Sequence, residues 1–472
     1  MAKTYITTAI PYVNGAPHVG HAVDYCLADT FARYRKLLGD EVRFQTGVDE
    51  HGNKIFQKAS DLKIPVEKYV EDNANKFKDF IKKLNVSSTD FIRTTDSDHE
   101  RRCQEIWLKL KDHIYKAKYE GWYCEGCERF VTEKEYDENH GICPDHQKPY
   151  KKLSEENYYL RIADFKDQIR EAINSGKMLI LPDFRKKEIL SLLEESPDVS
   201  ISRSTSQLTW GVPVPDDDSQ VMYVWMDALS NYITVLGYPD QDIKDWWPAT
   251  AQFVGKDILR FHAIIWPAML IGLGLPLPKV ILSHGFVLCD GQKMSKSVGN
   301  VVDPIEVLER HGLDAFRYYF LRHVDTFLDS DFTWDKFEEA YNNELANDLG
   351  NLVQRLATLA SKNHLSYSAG KQEDAFSNEY KELMDKFEFA KAFDLVWDKI
   401  RNINRRIDEE KPWELAKQDN AAALEDCLNS LISDLLSTNR ELSPFLPGAS
   451  EKITAIFSGL VEPPKVPLFP KS

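Results

Sequence analysis

The stretch KTYITTAIPYVNGAPHVGH, Lys3 to His21, decides how this chain folds. Lys3 to Ile10 is rich in aromatic and β-branched residues and reads as a strand, which Pro11, Asn14 and Gly15 then break. A helical run follows to Leu38, and Gly39 stops it. His18 and His21 stand three apart, so both imidazoles face one way in the first helical turn, and Gly20 leaves the backbone between them open to a flat ligand. Such a pair at a helix start suits hydrogen bonding to phosphate.

Far along the chain, Lys293-Met294-Ser295-Lys296-Ser297 follows a buried-strand pattern at Lys279–Leu282 and an Asp290-Gly291 turn. Two lysines and two hydroxyls on such a loop can close over a polyphosphate. Either segment alone is weak: a His-x-x-His on a helix is more often structural, and a Lys/Ser pentapeptide is usually a solvated loop. Their order and separation give the pair its weight.

Strand patterns at Lys3–Ile10, Glu41–Gly47, Val221–Trp225, Gln252–Val254 and Lys279–Leu282 alternate with helical runs, which predicts an α/β fold with a doubly wound, parallel Rossmann-like sheet. Ligands of such sheets sit at the carboxyl ends of the strands. The turn after Ile10, Asp49-Glu50-His51-Gly52 and His284-Gly285 all fall there. Between about Ala117 and Val212 the alternation is interrupted by a Cys/His cluster, short strand-like pieces and a charged helical stretch from Ala163 to Leu193, which reads as an insertion. Beyond Asp303 strands give way to amphipathic helical runs at Trp334–Lys362, Phe387–Glu410 and Ala421–Leu442, the pattern of an all-α bundle. The expected division is 1–116 and 213–302 for the sheet domain, 117–212 for the insertion, 303–333 for a linker and 334–472 for the bundle.

Cys124-x2-Cys127 and Cys143-x2-His146, fifteen residues apart, have the spacing of a zinc knuckle with three thiolates and one imidazole. Four protein ligands leave no position for water, so such a Zn(2+) folds the insertion rather than performing chemistry. His140 is the competing ligand, less well placed than His146. The formal charge of −16 argues against polyanion binding over the whole surface, so any nucleic-acid contact must be local. Lys399, Arg401, Arg405, Arg406 and Lys411 form one candidate patch, and pairing with Asp408, Glu409 and Glu410 is its bland alternative. With no secretory or Arg-rich leader and no stretch of transmembrane length, a cytoplasmic protein is expected.

The two opening segments resemble the HIGH and KMSKS motifs of class I aminoacyl-tRNA synthetases, with Val19 in place of the usual isoleucine. Ala9-Ile10-Pro11-Tyr12, Ile201-Ser202-Arg203 leading to Trp210-Gly211-Val212-Pro213-Val214-Pro215, Tyr223-Val224-Trp225-Met226-Asp227-Ala228 and Phe253-Val254-Gly255-Lys256-Asp257-Ile258 extend the resemblance to the methionyl-tRNA synthetase family, almost end to end. The resemblance implies ATP-dependent activation of L-methionine and its transfer to tRNA(Met), with Mg(2+) accompanying ATP. By its pattern His18, His21, Lys293 and Lys296 serve catalysis, and Gly20, Gly255, Asp257, Val287 and Lys296 border ATP. Asp49 faces the methionine ammonium, Ala9, Ile10 and Tyr12 line the entrance, and Trp225, Ala228, Tyr232 and His284 surround the side chain. Leu229 stands where many relatives have proline. Asn351, Arg355 and Trp413 match anticodon-reading positions, and the zinc knuckle has its counterpart in the same family. Large editing insertions set the branched-chain synthetases apart, and the intact motifs speak against a non-catalytic tRNA-binding paralogue. Without the C-terminal dimerising extension of some relatives, a monomer is expected.

Overall fold

The computed structural model describes residues 1–124, 129–144, 147–289, 291–293, 302–367, 376–417 and 421–471, and of residues 119, 129, 130, 153–155 and 293 the backbone alone. At its centre lies a six-stranded parallel sheet in the order Asp90–Arg93, Glu41–Val48, Lys3–Thr8, Ala251–Gly255, Val280–His284, Leu179–Leu181. Tyr5, Ile6, Thr7 and Thr8 are all buried, as expected of a central parallel strand covered on both faces. From Lys3–Thr8 the chain first winds outward to one side and later returns on the other. The carboxyl ends of Lys3–Thr8 and Ala251–Gly255 therefore flank the crevice where such sheets bind ligands.

Val221–Trp225, expected as a strand of this sheet, is not one. Gln220–Met222 pairs antiparallel with Ser202–Ser204 outside the main sheet, and the chain then turns at Tyr223 into the helix Val224–Thr234. That helix is buried from Met226 to Thr234, so its short apolar opening lacks the polar face that separates helix from strand in a pattern. Asp90–Arg93 and Leu179–Leu181, three or four residues each, were too short to stand out. Leu179–Leu181 lies inside the 117–212 segment yet pairs with Val280–His284 in the main sheet. The rest of that segment is built on a long antiparallel pair, Ile114–Cys124 with Lys151–Leu160.

The helical region forms as its periodicity predicts, with Phe389–Glu410 and Ala421–Leu442 as its longest members. Trp334–Ala340 runs through a π-helical Tyr341–Gly350 into Asn351–Lys362. Along Phe389–Glu410 the buried residues Phe389, Phe393, Val396, Trp397, Ile400, Ile403 and Ile407 recur every three or four positions, one apolar stripe facing the core. The first helix, Val19–Leu37, is buried over most of its length between the sheet and this region, with Phe31 4.6 Å from Phe387. Arg317, fully buried, donates to Asp29 and Thr30 of that helix and to the carbonyls of Pro444 and Phe445. Removing one partner of such a pair costs about 3–5 kcal/mol, so the helical region is fixed to the helix that starts at the histidines.

Candidate active site

A cavity of about 570 Å³ opens at the crevice, within the usual range for small-molecule sites. Four pieces of chain wall it, and the first is the start of the Val19–Leu37 helix. His18 is the N-cap rather than a first-turn residue: its Nδ1 accepts from Gly20 N–H at 3.1 Å, and His21 Nδ1 accepts from His18 N–H at 3.1 Å. The imidazoles stack with centroids 3.7 Å apart. A Cβ at Gly20 would lie 2.9 Å from the His18 ring, so glycine is what lets that ring fold back. Because both Nδ1 atoms accept, each neutral ring carries its proton on Nε2.

The second wall is the loop after Glu41–Val48. Asp49 is 5% exposed, its N–H donates to Pro11 O at 2.8 Å, and its carboxylate accepts from His51 N–H at 3.3 Å. Glu50, fully buried, binds Arg93 at 2.8 Å, and its carbonyl accepts from Trp210 Nε1 at 2.6 Å. Gly52 closes the loop at φ 115°, where a Cβ would lie 1.6 Å from the Tyr12 hydroxyl, so only glycine fits.

The third wall is aromatic. Trp225, Ala228, Leu229 and Tyr232 come from Val224–Thr234, and the π-helical turn Phe261–Ile265 supplies His262 to the wall, while Phe261 backs it by stacking on Trp225 at 3.8 Å. His262 Nδ1 lies 3.0 Å from Ile258 O. A carbonyl only accepts, so Nδ1 bears the proton and Nε2 accepts from the Tyr232 hydroxyl at 2.7 Å. Burial pushes the His262 pKa down to about 4, which keeps the ring neutral.

Gly255, Asp257, His284 and Val287 form the fourth wall, with Asp24 behind them. His284 pairs in register with Gly255, and its Nε2 lies 3.4 Å from Asp24 Oδ1. Burial lowers the His284 pKa and the Asp24 carboxylate more than reverses this. His284, expected around the methionine side chain, lines the cavity on the Gly255 side. The cavity histidine bonded to Tyr232 is His262, which sequence reasoning missed. Its signal was one polar residue inside the apolar run Phe261-His262-Ala263-Ile264-Ile265-Trp266, which reads as core.

This cavity gathers Ala9, Ile10, Tyr12, His18, Gly20, His21, Asp49, Trp225, Ala228, Tyr232, Gly255, Asp257, His284 and Val287 from all along the sequence. Lys293 ends a short hairpin with Val287–Cys289, turned at Gly291 (φ 71°), and Lys296 lies outside the described residues.

Of the knuckle residues, Cys127 and His146 lie outside the described residues. Cys124 and Cys143 are both buried in one small cluster with Val131 and Tyr150, while His140 is exposed at φ 52°. Among the described residues, His99, Cys103 and Asp227 also bring metal-ligating atoms together, but His99 and Asp227 are already joined by a 2.7 Å hydrogen bond. In the helical region Arg355 lies 5.7 Å over the half-buried Trp413 ring and 2.6 Å from Asp408, with exposed Asn351 one turn earlier. In the candidate basic patch, Arg405 pairs with Glu409 and Arg406 with Glu410, as the bland alternative has it, whereas Lys399 pairs with Glu441 and Arg401 with Asp348. No described helix is long and apolar enough to cross a membrane.

Fold and cavity together define a nucleotide-dependent enzyme of the class I synthetase kind. Residues 4–152 and 145–357 match the family of class I tRNA synthetases (M), and the chain belongs to that family. It is 39% identical over 470 residues to the methionine–tRNA ligase of Thermotoga maritima, covering 96% of this chain and 74% of that protein. Against the methionine–tRNA ligase of Brucella suis biovar 1 it is 39% identical over 479 residues, covering 97% and 92%. The solved methionyl-tRNA synthetase of Mycobacterium tuberculosis in complex with methionyl-adenylate matches with a TM-score of 0.91 at 33% identity over the whole of both chains. The free-state form of the same enzyme matches at 0.85.

Proposed function

We infer that the protein is a methionine–tRNA ligase. It activates L-methionine with ATP to methionyl-adenylate, releasing pyrophosphate, and transfers the methionyl group to the 3′-terminal ribose of tRNA(Met), releasing AMP. The observation that carries this reading is the single cavity in which a buried carboxylate, an aromatic wall and a helix start bearing two histidines meet. The substrates bring their own nucleophile and leaving group, so the protein has to position them and stabilise phosphate charge.

Asp49 holds the ammonium, and Trp225, Ala228, Tyr232 and His262 surround the thioether. Tyr232 donates its hydroxyl hydrogen to His262, so that donor is already engaged and the rings offer the sulfur polarizable surface. Gly20, Gly255, Asp257, His284 and Val287 border the nucleotide. His18 and His21 present Nε2–H donors to the phosphates, and Lys293 and Lys296 meet the charge developing on pyrophosphate. Mg(2+), carried in with ATP, supplies further neutralisation of the phosphates.

Cys124, Cys127, Cys143 and His146 hold a structural Zn(2+). The common burial of Cys124 and Cys143, and the exposed turn position of His140, support that set over one with His140. Residues 1–116 and 213–302, together with the strand Leu179–Leu181, form the catalytic domain, the rest of 117–212 the connective domain, 303–333 the stem contact and 334–472 the anticodon domain, where Asn351, Arg355 and Trp413 read tRNA(Met). The protein works as a monomer in the cytoplasm. Methionine-dependent ATP–pyrophosphate exchange, followed by charging of tRNA(Met), tests the reading. Exchange driven by another amino acid, or none, would overturn it.

A further inference from the structure

Asp227 sits between Trp225 and Ala228 on the Val224–Thr234 helix, yet it does not line the cavity. It is 1% exposed, and its two oxygens go to two histidines from different parts of the chain. Oδ2 lies 2.6 Å from His51 Nδ1 and Oδ1 lies 2.7 Å from His99 Nε2. Burial opposes ionisation of this carboxyl, but the two histidines overcome that and hold its pKa below the usual carboxylate range, so it is an acceptor at both oxygens. His99 is fixed in turn, because its Nδ1 lies 2.7 Å from the Thr234 hydroxyl of the same helix.

His51 is the consequential partner. It lies two residues beyond Asp49, and its N–H donates to the Asp49 carboxylate at 3.3 Å. Its Nε2 lies 3.4 Å from Glu100, and the Trp210 ring packs edge-on at 5.5 Å. His51 therefore links the two through its own covalent frame, its backbone N–H on the Asp49 carboxylate and its imidazole on Asp227, joining segments 176 residues apart in sequence. One end carries the carboxylate assigned to the ammonium of methionine. The other carries Trp225, Ala228 and Tyr232, assigned to its thioether.

We propose that Asp227 is a positioning residue for methionine, which through His51 fixes the Asp49 carboxylate relative to the Trp225–Tyr232 wall and so sets the spacing between the ammonium and thioether ends of the substrate. The proposal rests on the methionine reading given above. Its physical basis is that a displacement of about 1 Å in a positioning group costs on the order of 100-fold in rate, and a loop carboxylate keeps its place only if its neighbours hold it. A role confined to holding the core together makes a different prediction, because it affects both substrates alike.

Two substitutions separate these roles. Asp227→Asn keeps shape and loses charge, and His51→Gln replaces the imidazole that meets Asp227 while the backbone N–H of residue 51 still reaches Asp49. For each, KM for methionine and for ATP are measured separately in pyrophosphate exchange. Dissociation constants for methionine and its deamino analogue, and the thermal midpoint, complete the set. The expected result is a rise of about 100-fold in KM for methionine with KM for ATP unchanged. The preference for methionine over the deamino analogue collapses, because only the ammonium contact is misplaced. If the two KM values rise together and the preference survives, the network is structural and the proposal falls. Should Asp227→Asn not fold, His51→Gln decides by the same criteria. Wild-type protein without methionine-dependent exchange refutes the underlying reading, whereas normal exchange in wild type and unchanged methionine affinity in both variants refutes this proposal alone.

Discussion

The cavity and the candidate anticodon face hold their charged groups in opposite ways. Around the cavity Asp49, Glu50, His51 and Asp227 are all 5% exposed or less, and the side chains of Glu50, His51 and Asp227 each have a partner drawn from elsewhere in the chain. On the helical face Arg355 pairs with an Asp408 that is 65% exposed, and Asn351 stands in solvent. Charges taken out of water must be fully partnered, and the partners then fix the site before substrate arrives. Exposed pairs contribute little stability and are screened by salt, which leaves the side chains available to exchange a protein partner for a nucleic-acid one. A small, invariant substrate suits the first arrangement and a large polyanion the second.

The sharpest way to break the contrast is Asp49→Asn. It keeps the acceptor for His51 N–H and removes only the charge, so kcat/KM for methionine in pyrophosphate exchange should fall by about 2–5 kcal/mol, the usual loss for one partner of a buried charged pair. Binding of ATP should change little. An Asp49→Asn enzyme with native methionine affinity would show that the buried carboxylate serves the loop and not the substrate.

Much of this cavity was legible because its residues lie in turns at strand ends, where patterns are local: His18 and Gly20, Asp49 and His284 all fall in or beside such turns, and Gly255 came from the family resemblance. What escaped was decided by packing. His262 lies in an apolar helical run and reaches the cavity through a π-helical turn, a widening that periodicity does not report. Within Val221–Trp225, Val221 and Met222 do lie in a strand, but one outside the main sheet, and Val224 and Trp225 read as its continuation because a helix buried on all sides shows no polar face. The hydrogen bond between His51 and Asp227 spans 176 residues, and a single sequence holds no signal for it.

On the other side of the comparison, Trp413→Ala should cost about 1–3 kcal/mol of tRNA recognition, as for loss of a base-stacking ring, and leave adenylate formation nearly unchanged. Trp413 is half-buried against the main core, so a drop in thermal midpoint that damages both half-reactions together would make it a packing residue. Charging of tRNA bearing CAU against a substituted anticodon is the deciding measurement. A mutant that discriminates as well as wild type refutes anticodon reading by this ring.

Titration probes the buried side alone. The unfolded chain protonates its histidines near pH 6.5, whereas His262 in the fold refuses a proton until about pH 4. Its contribution is therefore complete above pH 6.5 and is lost as pH falls towards 4, at up to about 1.4 kcal/mol per pH unit. His51 behaves oppositely: burial lowers its pKa, but Asp227 outweighs this and lifts it to about 10, so its contribution is complete below pH 6.5 and is lost as pH rises towards 10. Denaturation curves of His262→Gln should be flatter than wild type on the acid side, and those of His51→Gln flatter on the alkaline side. Identical slopes would mean that neither ring is held in the protonation state its partners impose.

The smallest effect belongs to Asp408→Ala. Its ion pair with Arg355 is short, 2.6 Å, but one partner is 65% and the other 32% exposed, so water and salt compensate most of what the contact provides. Stability should change by no more than about 1 kcal/mol, and the difference should shrink further as salt is raised. Asp227→Asn, whose carboxylate is 1% exposed, should show no comparable salt dependence, because mobile ions do not reach it. The measurement is the denaturation midpoint of both variants at low and high salt. If Asp408→Ala proves as costly and as salt-independent as the cavity variant, the pair is held as rigidly as a core contact. Arg355 would then have to break a fixed interaction before it could meet a base, and the opposition between a prebuilt cavity and an open RNA face would not hold.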